Sequence, residues 1–341
     1  MSYPQPPDTS RSQIRKAGKK LASTTSSQDQ LDAAQQLVDQ FRAAHQWPML
    51  TARVTLAGRA KRISDRALVV QRLKRMPSIL SKLQSGRVKD VSSMQDMGGC
   101  RAIMPSIDDV YALAQQYNRP ARNSAFDFKL RNDYIDHPKP NGYRGLHYVG
   151  AYDSEKREEF KGYAIELQLR TKLMHSWATS VEIVDTFEQS GLKSSKPDEF
   201  NSEWDYFFAY AGAAIALQEN TPVPEGMPNS KEGVRKALAD LDAGRLIQRV
   251  NNWSTSMRHI TKLGGRGKYF LLSLDADLRS IQIRRFRNSA DAEEAYRDLE
   301  TDSQSDSVLV GGKSMEEIQK AYPNYFADTR RFSALLRTLL K

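Results

Sequence analysis

Residues Tyr163–Thr171 read YAIELQLRT, with apolar Ile165, Leu167 and Leu169 alternating with Glu166, Gln168 and Arg170. Successive side chains of a β-strand point to opposite faces, so an acid, an amide and a guanidinium would line up on one face. Taken alone, this pattern also describes any half-buried strand with a polar solvent face. Three other segments carry compatible groups. In Arg72–Leu83 (RLKRMPSILSKL), Pro77 disfavours the helical region at Met76. Lys74–Met76 is therefore expected to be extended, with a helix restarting at Pro77. Arg72 and Lys74 then point the same way. Ser78 falls in the first helical turn, where free N–H groups favour anions, and Lys82 lies one turn on along the same face. The set would cradle a triphosphate without a glycine loop. In Gln95–Ile103 (QDMGGCRAI), Asp96 precedes a strand that carries Arg101. Asp96 and Glu166 could hold Mg²⁺ against phosphates. Asp133–His147 (DYIDHPKPNGYRGLH) contains two prolines and two glycines and presents Lys139, Tyr143, Arg144 and His147. An aromatic ring and cations on a restricted backbone suit base stacking and phosphate binding.

These groups need elements to hold them. Residues 1–27 read as a flexible basic tail with Arg11, Arg15, Lys16, Lys19 and Lys20. From Asp29 to Gln46, Leu31, Ala34, Leu37, Val38 and Phe41 recur at helical spacing. Ile63–Leu83 is helical in pattern, broken at Pro77. Gly98–Met104 reads as a buried strand, and Ser106 opens a helix running to about Tyr117. Leu146–Tyr152 and Tyr163–Arg170 read as strands, and Thr171–Phe187 and Phe200–Leu217 as helices. Residues 221–230, with three prolines and a glycine, form a linker. Beyond it come a long helical pattern over Glu232–Leu263, then a hairpin of Lys268–Asp275 and Arg279–Phe286. A helix, a strand (Val308–Gly311), a short helix and a last helix from Phe326 complete the chain. The expected fold is α+β. A mixed sheet flanked by helices occupies 28–220, and a small mixed α/β unit occupies 231–341.

Composition narrows the choices. The 341 residues carry 51 Lys+Arg against 41 Asp+Glu. Eleven basic residues lie between Thr51 and Asp90 against only Asp65 and Asp90. Such a balance favours polyanions. No window approaches eighteen apolar residues, and the N-terminus lacks the apolar core of a secretory signal. A lone cysteine, Cys100, leaves no internal disulfide and no cysteine-built zinc site, which fits a reducing cytoplasm. Gly312-Lys313-Ser314 has Ser307 where a P-loop needs glycine. The five histidines form no HExxH, and no GxSxG elbow is present.

Taken in order, the motifs resemble the RelA/SpoT nucleotide pyrophosphokinase family over about 28–190. Arg72, Lys74, Ser78, Ile79 and Lys82 match R-x-K-x-x-x-S-I-x-x-K. Asp96, Gly99 and Arg101 match D-x-x-G-x-R. Residues 133–147 match DYI-x-x-PK-x-NGY-x-x-LH, and Glu166, Gln168, Arg170, Thr171, Met174 and His175 match E-x-Q-x-RT-x-x-MH. The resemblance implies transfer of the β,γ-diphosphate of ATP to a hydroxyl, with release of AMP. It implies that Arg72, Lys74, Ser78, Lys82 and Arg101 hold ATP. Asp96 and Glu166 are implied as the Mg²⁺ and catalytic carboxylates, with Glu166 polarising the acceptor hydroxyl. Tyr143 would stack on the acceptor base, framed by Lys139, Asn141 and His147, with Gln168 and Arg170 beside it. The His-Asp metal site of the family's hydrolase half is absent, which implies a synthetase alone.

Two departures fall near the acceptor side: Arg144-Gly145 where many members carry Gln-Ser, and Ala178-Thr179 where Ala-Glu is common. They turn the expectation toward a branch that modifies the 3′ CCA end of tRNA and blocks translation. Arg53, Arg59, Lys61, Arg62 and Arg66, with the basic tail, are the candidate tRNA contacts. Near the C-terminus stands Tyr322-Pro323-Asn324-Tyr325-Phe326. A lone YxxY usually marks a turn with locally packed rings. The layout nevertheless resembles the fused toxin–antitoxin branch called CapRel, in which such an element blocks the ATP site. A phage capsid protein is implied as the activator that releases it. Two alternatives stand: a small alarmone synthetase making (p)ppGpp or (p)ppApp from a free nucleotide, and a catalytically inactive RNA- or nucleotide-binding module.

Overall fold

A computed structural model describes residues 3–23, 26–118, 124–188, 192, 198–256, 258–263, 267–275, 280–301, 306–311, 315–326 and 328–340. Its central element is a five-stranded mixed sheet in the order β1-β2-β5-β4-β3. The strands are β1 (Leu68–Leu73), β2 (Gly98–Met104), β3 (Lys129–Asp133), β4 (Leu146–Ala151) and β5 (Ala164–Thr171). β2 and β5 run parallel; the other pairs are antiparallel. One face carries Cys100, Ala102, Ile165, Leu167, Leu169, Leu146 and Tyr148, all buried in the main core. Helices α3 (Gln46–Ile63) and α5 (Ile107–Gln115) add Leu56, Val110 and Leu113 to that core. The opposite face, by the same alternation, carries Arg72, Arg101, Glu166, Gln168, Arg170 and His147.

Two stretches differ from the sequence expectation. Leu68–Leu73 is a strand, not part of a helix over Ile63–Leu83. Its Val69-Val70 pair suits a strand, and six ladder partners on β2 outweigh a helical spacing that the isolated segment also satisfies. The helix does restart beside Pro77, as α4 (Met76–Gln84). Residues 1–27, expected to be a flexible tail, contain α1 (Arg11–Ala22), closed by a Ser10–Gln13 capping box. Ile14, Ala17 and Leu21 recur at helical spacing and are buried in the main core. Gly18 lets Val91 approach so closely that a Cβ there would lie 2.6 Å from its Cγ1. The run of cations occupies only the solvent face of an amphipathic helix.

Part of the C-terminal stretch shares a core with the helices that precede the linker, while Leu271, Ala295 and Tyr296 form a small cluster among C-terminal elements alone. Helices α8 (Lys231–Asp240), α9 (Ala243–Ser256) and α12 (Arg330–Leu340) pack with α6 (Lys172–Glu188) and α7 (Glu203–Gln218). Val234, Leu246, Phe332 and Leu336 share one cluster with Trp177, Phe207 and Phe208. The linker at 221–230 therefore joins segments that share a core. The long helix expected over Glu232–Leu263 is three elements. Asp242 takes a left-handed turn at φ 53° after α8, and Arg258–Leu263 is strand β6. β6 joins β7 (Tyr269–Asp275), β8 (Ser280–Phe286) and β9 (Asp306–Gly311) in the order β6-β8-β7-β9. The β7–β8 pair is the expected hairpin. Between the strands and α12 lie α10 (Ser289–Thr301), α11 (Met315–Ala321) and a 3-10 turn at Pro323–Phe326. No helix among the described residues is long and apolar enough to cross a membrane.

Phe332 is 1% exposed and stacks on Phe208 of α7, with ring centroids 5.9 Å apart. Phe332→Ala is expected to destabilise the whole molecule by about 3–5 kcal/mol. Urea unfolding should remain a single transition. Loss of a C-terminal transition alone, with the rest unmoved, would contradict the shared core.

Candidate active site

The sheet register sets the site. Gly99 of β2 stands opposite Arg72 on one side and Glu166 on the other. Arg101 stands opposite Gln168, which in turn faces His147 of β4. Between β1 and α4, the Lys74 backbone N–H donates to the Met97 carbonyl at 2.8 Å, which fixes the bend. Lys74 Nζ and Lys82 Nζ then both donate to Asp96 Oδ2, at 2.8 and 2.6 Å. Burial alone would raise the Asp96 carboxyl. The two ammonium groups override it and hold the pKa below the ordinary value. Burial also lowers Lys74. Ser78 lies in the first turn of α4.

A hydrogen-bonded chain runs along the next two strands. Gln168 Nε2 donates to Glu166 Oε2 at 2.8 Å, and Gln168 Oε1 accepts from Arg170 at 3.1 Å and Arg101 at 3.3 Å. His147 Nδ1 meets Glu166 Oε1 at 2.7 Å, and His147 Nε2 meets the Tyr143 hydroxyl at 2.6 Å. Arg170 donates to that same hydroxyl. A Tyr143 proton given to His147 Nε2 would leave Nδ1–H to donate to Glu166, so the ring can relay between the two. Burial opposes ionisation of Glu166, but the His147 bond prevails and lowers its pKa. Arg101 lies buried beside Arg170 and Arg72, which pushes it down to about 10.

The loop before β4 brings Lys139 Nζ over Tyr134 and Tyr143, 4.5 and 5.2 Å from the ring centroids. Gly142, at φ 92°, lets this loop sit on α7, where a Cβ would lie 2.6 Å from the Phe208 carbonyl. Asn141 acts within the loop, its Oδ1 accepting from the Tyr143 N–H at 3.1 Å.

Several expected residues fall elsewhere. Arg144 turns away from the sheet face into an ion pair with Glu219 at 3.3 Å, and also donates to Thr221. The Arg144-Gly145 departure thus changes the loop's anchor, while Gly145 leaves space for the Arg170 stem, whose Cγ would lie 3.1 Å from a Cβ there. Arg59, one of the expected tRNA contacts, is half-buried. Its guanidinium lies 4.3 Å over the Tyr117 ring and donates to the Gln116 carbonyl at 3.1 Å. Arg53 lines a cleft of about 1150 Å³ between α2 (Gln28–Ala44), α3 and the second sheet. Lys61, Arg62 and Arg66 are exposed.

Tyr322 and Tyr325 are 2% and 1% exposed, in a cluster that includes Val70 of β1 and Ile183 of α6. The Tyr322 hydroxyl donates to the Gln71 carbonyl at 2.7 Å. Both phenols are raised by burial, against the opposing pull of Arg72. Two further residues of α6 were not among the expected site residues: Glu182, within electrostatic reach of Arg72, and His175, within reach of Arg101 and Arg170. Glu182 is the main group raising Arg72 against its burial. Their spacing of seven on a helix was a usable signal.

Residues 71–184 match a family model described as a region found in RelA / SpoT proteins. This stretch of the chain is similar to that RelA/SpoT region. The GTP pyrophosphokinase YjbM of Bacillus subtilis is 30% identical over 113 residues, which span 33% of this chain and 52% of that protein. The GTP pyrophosphokinase of Photobacterium angustum is 31% identical over 120 residues, 35% of this chain and 15% of that one. The chain thus spans about half the length of the Bacillus relative. The small alarmone synthetase 1 of Bacillus subtilis superposes with a TM-score of 0.45 at 24% identity, covering 53% of this chain and 92% of that one. The RelA/SpoT region holds every sheet-face residue named above, from Arg72 to Arg170, together with Glu182.

The donor set suits Mg²⁺. Asp96 and Glu166 are hard oxygen donors within electrostatic reach of each other. Mg²⁺ is commonly held by one or two carboxylates with waters and substrate phosphates.

Asp96 links the two lysines, and its depressed pKa gives a signed test. The stabilisation it contributes is present above the unfolded carboxylate value of about 3.9 and is lost as pH falls through the lower folded value. Asp96→Asn should cost about 1–3 kcal/mol at pH 7. The gap from the parent in urea denaturation should close below about pH 4. A gap independent of pH from 7 to 3 would contradict the pairing.

Proposed function

We propose that the chain is an ATP diphosphotransferase that moves the β,γ-diphosphate of ATP to the 3′-hydroxyl at the CCA end of tRNA. The observation that carries the reading is the single sheet face on which Lys74 and Lys82 grip Asp96 beside the Arg101–Gln168–Glu166–His147 chain. Diphosphate transfer asks mainly for positioning and charge neutralisation. Arg72, Lys74, Lys82 and Arg101 supply cations along the path of a triphosphate, and the N-terminus of α4 at Ser78 adds N–H donors. Glu166, held ionised by His147, accepts a hydrogen bond from the acceptor hydroxyl and orients its lone pair toward the β-phosphorus. The bond from the acceptor oxygen to that phosphorus forms as the α,β-bridging bond breaks, the hydroxyl proton passes to Glu166, and AMP leaves with the bridging oxygen. Asp96 and Glu166 would hold Mg²⁺, which when bound neutralises charge on the phosphates. Tyr143 and Lys139 would position the terminal base.

The tRNA acceptor is supported by exposed Lys61, Arg62 and Arg66 and by the exposed cations Arg15, Lys16, Lys19 and Lys20 of α1. That is more positive surface than one nucleotide needs. Transfer to a free guanine nucleotide is the second reading, favoured by the relatives named GTP pyrophosphokinase. The resting chain is read as autoinhibited. Tyr322 caps the Gln71 carbonyl beside Arg72, and Tyr325 is buried in the same cluster. A plug tethered in the same chain acts at high effective concentration, so weak contacts suffice. Release by a phage capsid protein belongs to this reading through the likeness to the CapRel branch.

γ-³²P-ATP incubated with the Tyr325→Ala chain and tRNA should release AMP at least tenfold faster than the parent and label the tRNA 3′ end. Label in guanine nucleotides alone would select the second reading. No AMP from any acceptor would leave a binding module.

A further inference from the structure

His175 lies in the first turn of α6 and is 7% exposed, yet neither ring nitrogen has a hydrogen-bond partner. Buried polar groups are nearly always paired, because burying them unpaired destabilises the fold. The groups facing the ring are Arg101 from β2, Arg170 from β5, Glu182 from its own helix and Arg331 from α12. Burial, then the guanidinium groups of Arg101 and Arg170, hold the imidazole neutral, well below its ordinary pKa. Arg101 in turn lies within electrostatic reach of Arg72, Glu182 and Tyr322. Arg101 is thus a shared neighbour of the unpaired ring and of Tyr322. Three guanidinium groups face one carboxylate there. A site so built lacks an anion, and it contains an N–H with nothing to donate to.

We propose that His175 is a phosphate ligand for ATP, donating a ring N–H to a phosphoryl oxygen of a triphosphate lodged between Arg101 and Arg170. The proposal rests on the diphosphotransferase reading. It explains why a polar ring is kept where an apolar one would pack without loss. Leucine fills a similar volume and needs no partner, so His175→Leu should leave the fold as stable as before, or more so, while removing the phosphate contact. Glutamine restores a donor at similar reach.

The test uses the full chain carrying Tyr322→Ala and Tyr325→Ala, with α,β-methylene-ATP and Mg²⁺ in titration calorimetry and Tm read alongside. His175→Leu is expected to weaken binding at least tenfold with Tm unchanged or raised, and His175→Gln to recover most of the affinity. Binding by His175→Leu as tight as the parent's would overturn the proposal. Loss of affinity together with a lowered Tm would mark a structural histidine and overturn it as well. Failure of the parent itself to bind would instead sink the ATP reading, and this inference with it.

Discussion

Everything at the site depends on the register of β2 between β1 and β5. That strand pairs antiparallel on one side and parallel on the other, and Gly99 is the crossing point at which Arg72 and Glu166 come level. A slip of one residue on any of the three strands would turn its polar row into the core and its apolar row into the site. The apolar row is fully committed: Ile165, Leu167 and Leu169 are all buried under helices. Burial on one face thus enforces the alignment of charges on the other. The chemistry is held by the hydrophobic effect acting through strand alternation rather than by the polar contacts themselves.

The aligned face is electrostatically incomplete. Arg72, Arg101 and Arg170 lie within reach of one another, and burial with mutual repulsion lowers Arg101. Glu182 meets only part of that charge. The other carboxylates of the site are engaged, Asp96 by two lysines and Glu166 by His147 and Gln168. Such an array suits a polyanion better than it suits an empty pocket. The segment that occupies it is neutral and aromatic. Tyr322 and Tyr325 cover Val70 and Ile183 and cap one edge carbonyl, but they bring no negative charge. On the autoinhibited reading proposed above, such a turn would cover the cationic face without matching its charge, so that a ligand or partner could displace it.

Much of the site was legible in the sequence. Alternation of Glu166, Gln168 and Arg170 needed only the period of a strand. The Lys74–Lys82 spacing around Pro77 needed only local backbone rules, and both lysines meet on Asp96. What the sequence hid was long-range. Leu68–Leu73 has a helical spacing when read alone and becomes a strand because β2 offers it a ladder. Arg144 looks like an acceptor-side residue until Glu219, seventy-five positions on, claims it. Arg59 is spent on Tyr117 for the same reason. In α1, charge counting drew attention away from an apolar stripe that packs on the core. The C-terminal helices could not be assigned to the central core from a proline-rich linker, since a linker's composition says nothing about what the chain does beyond it.

The central claim is that the Tyr322–Phe326 turn stands where ATP binds. The affinity of Mg²⁺-ATP for the intact chain, compared with the chain carrying Tyr322→Ala and Tyr325→Ala, tests it most directly. The account predicts binding at least tenfold tighter once the two rings are removed, even though the loss of two buried rings lowers Tm. Equal affinity in the two proteins would contradict it.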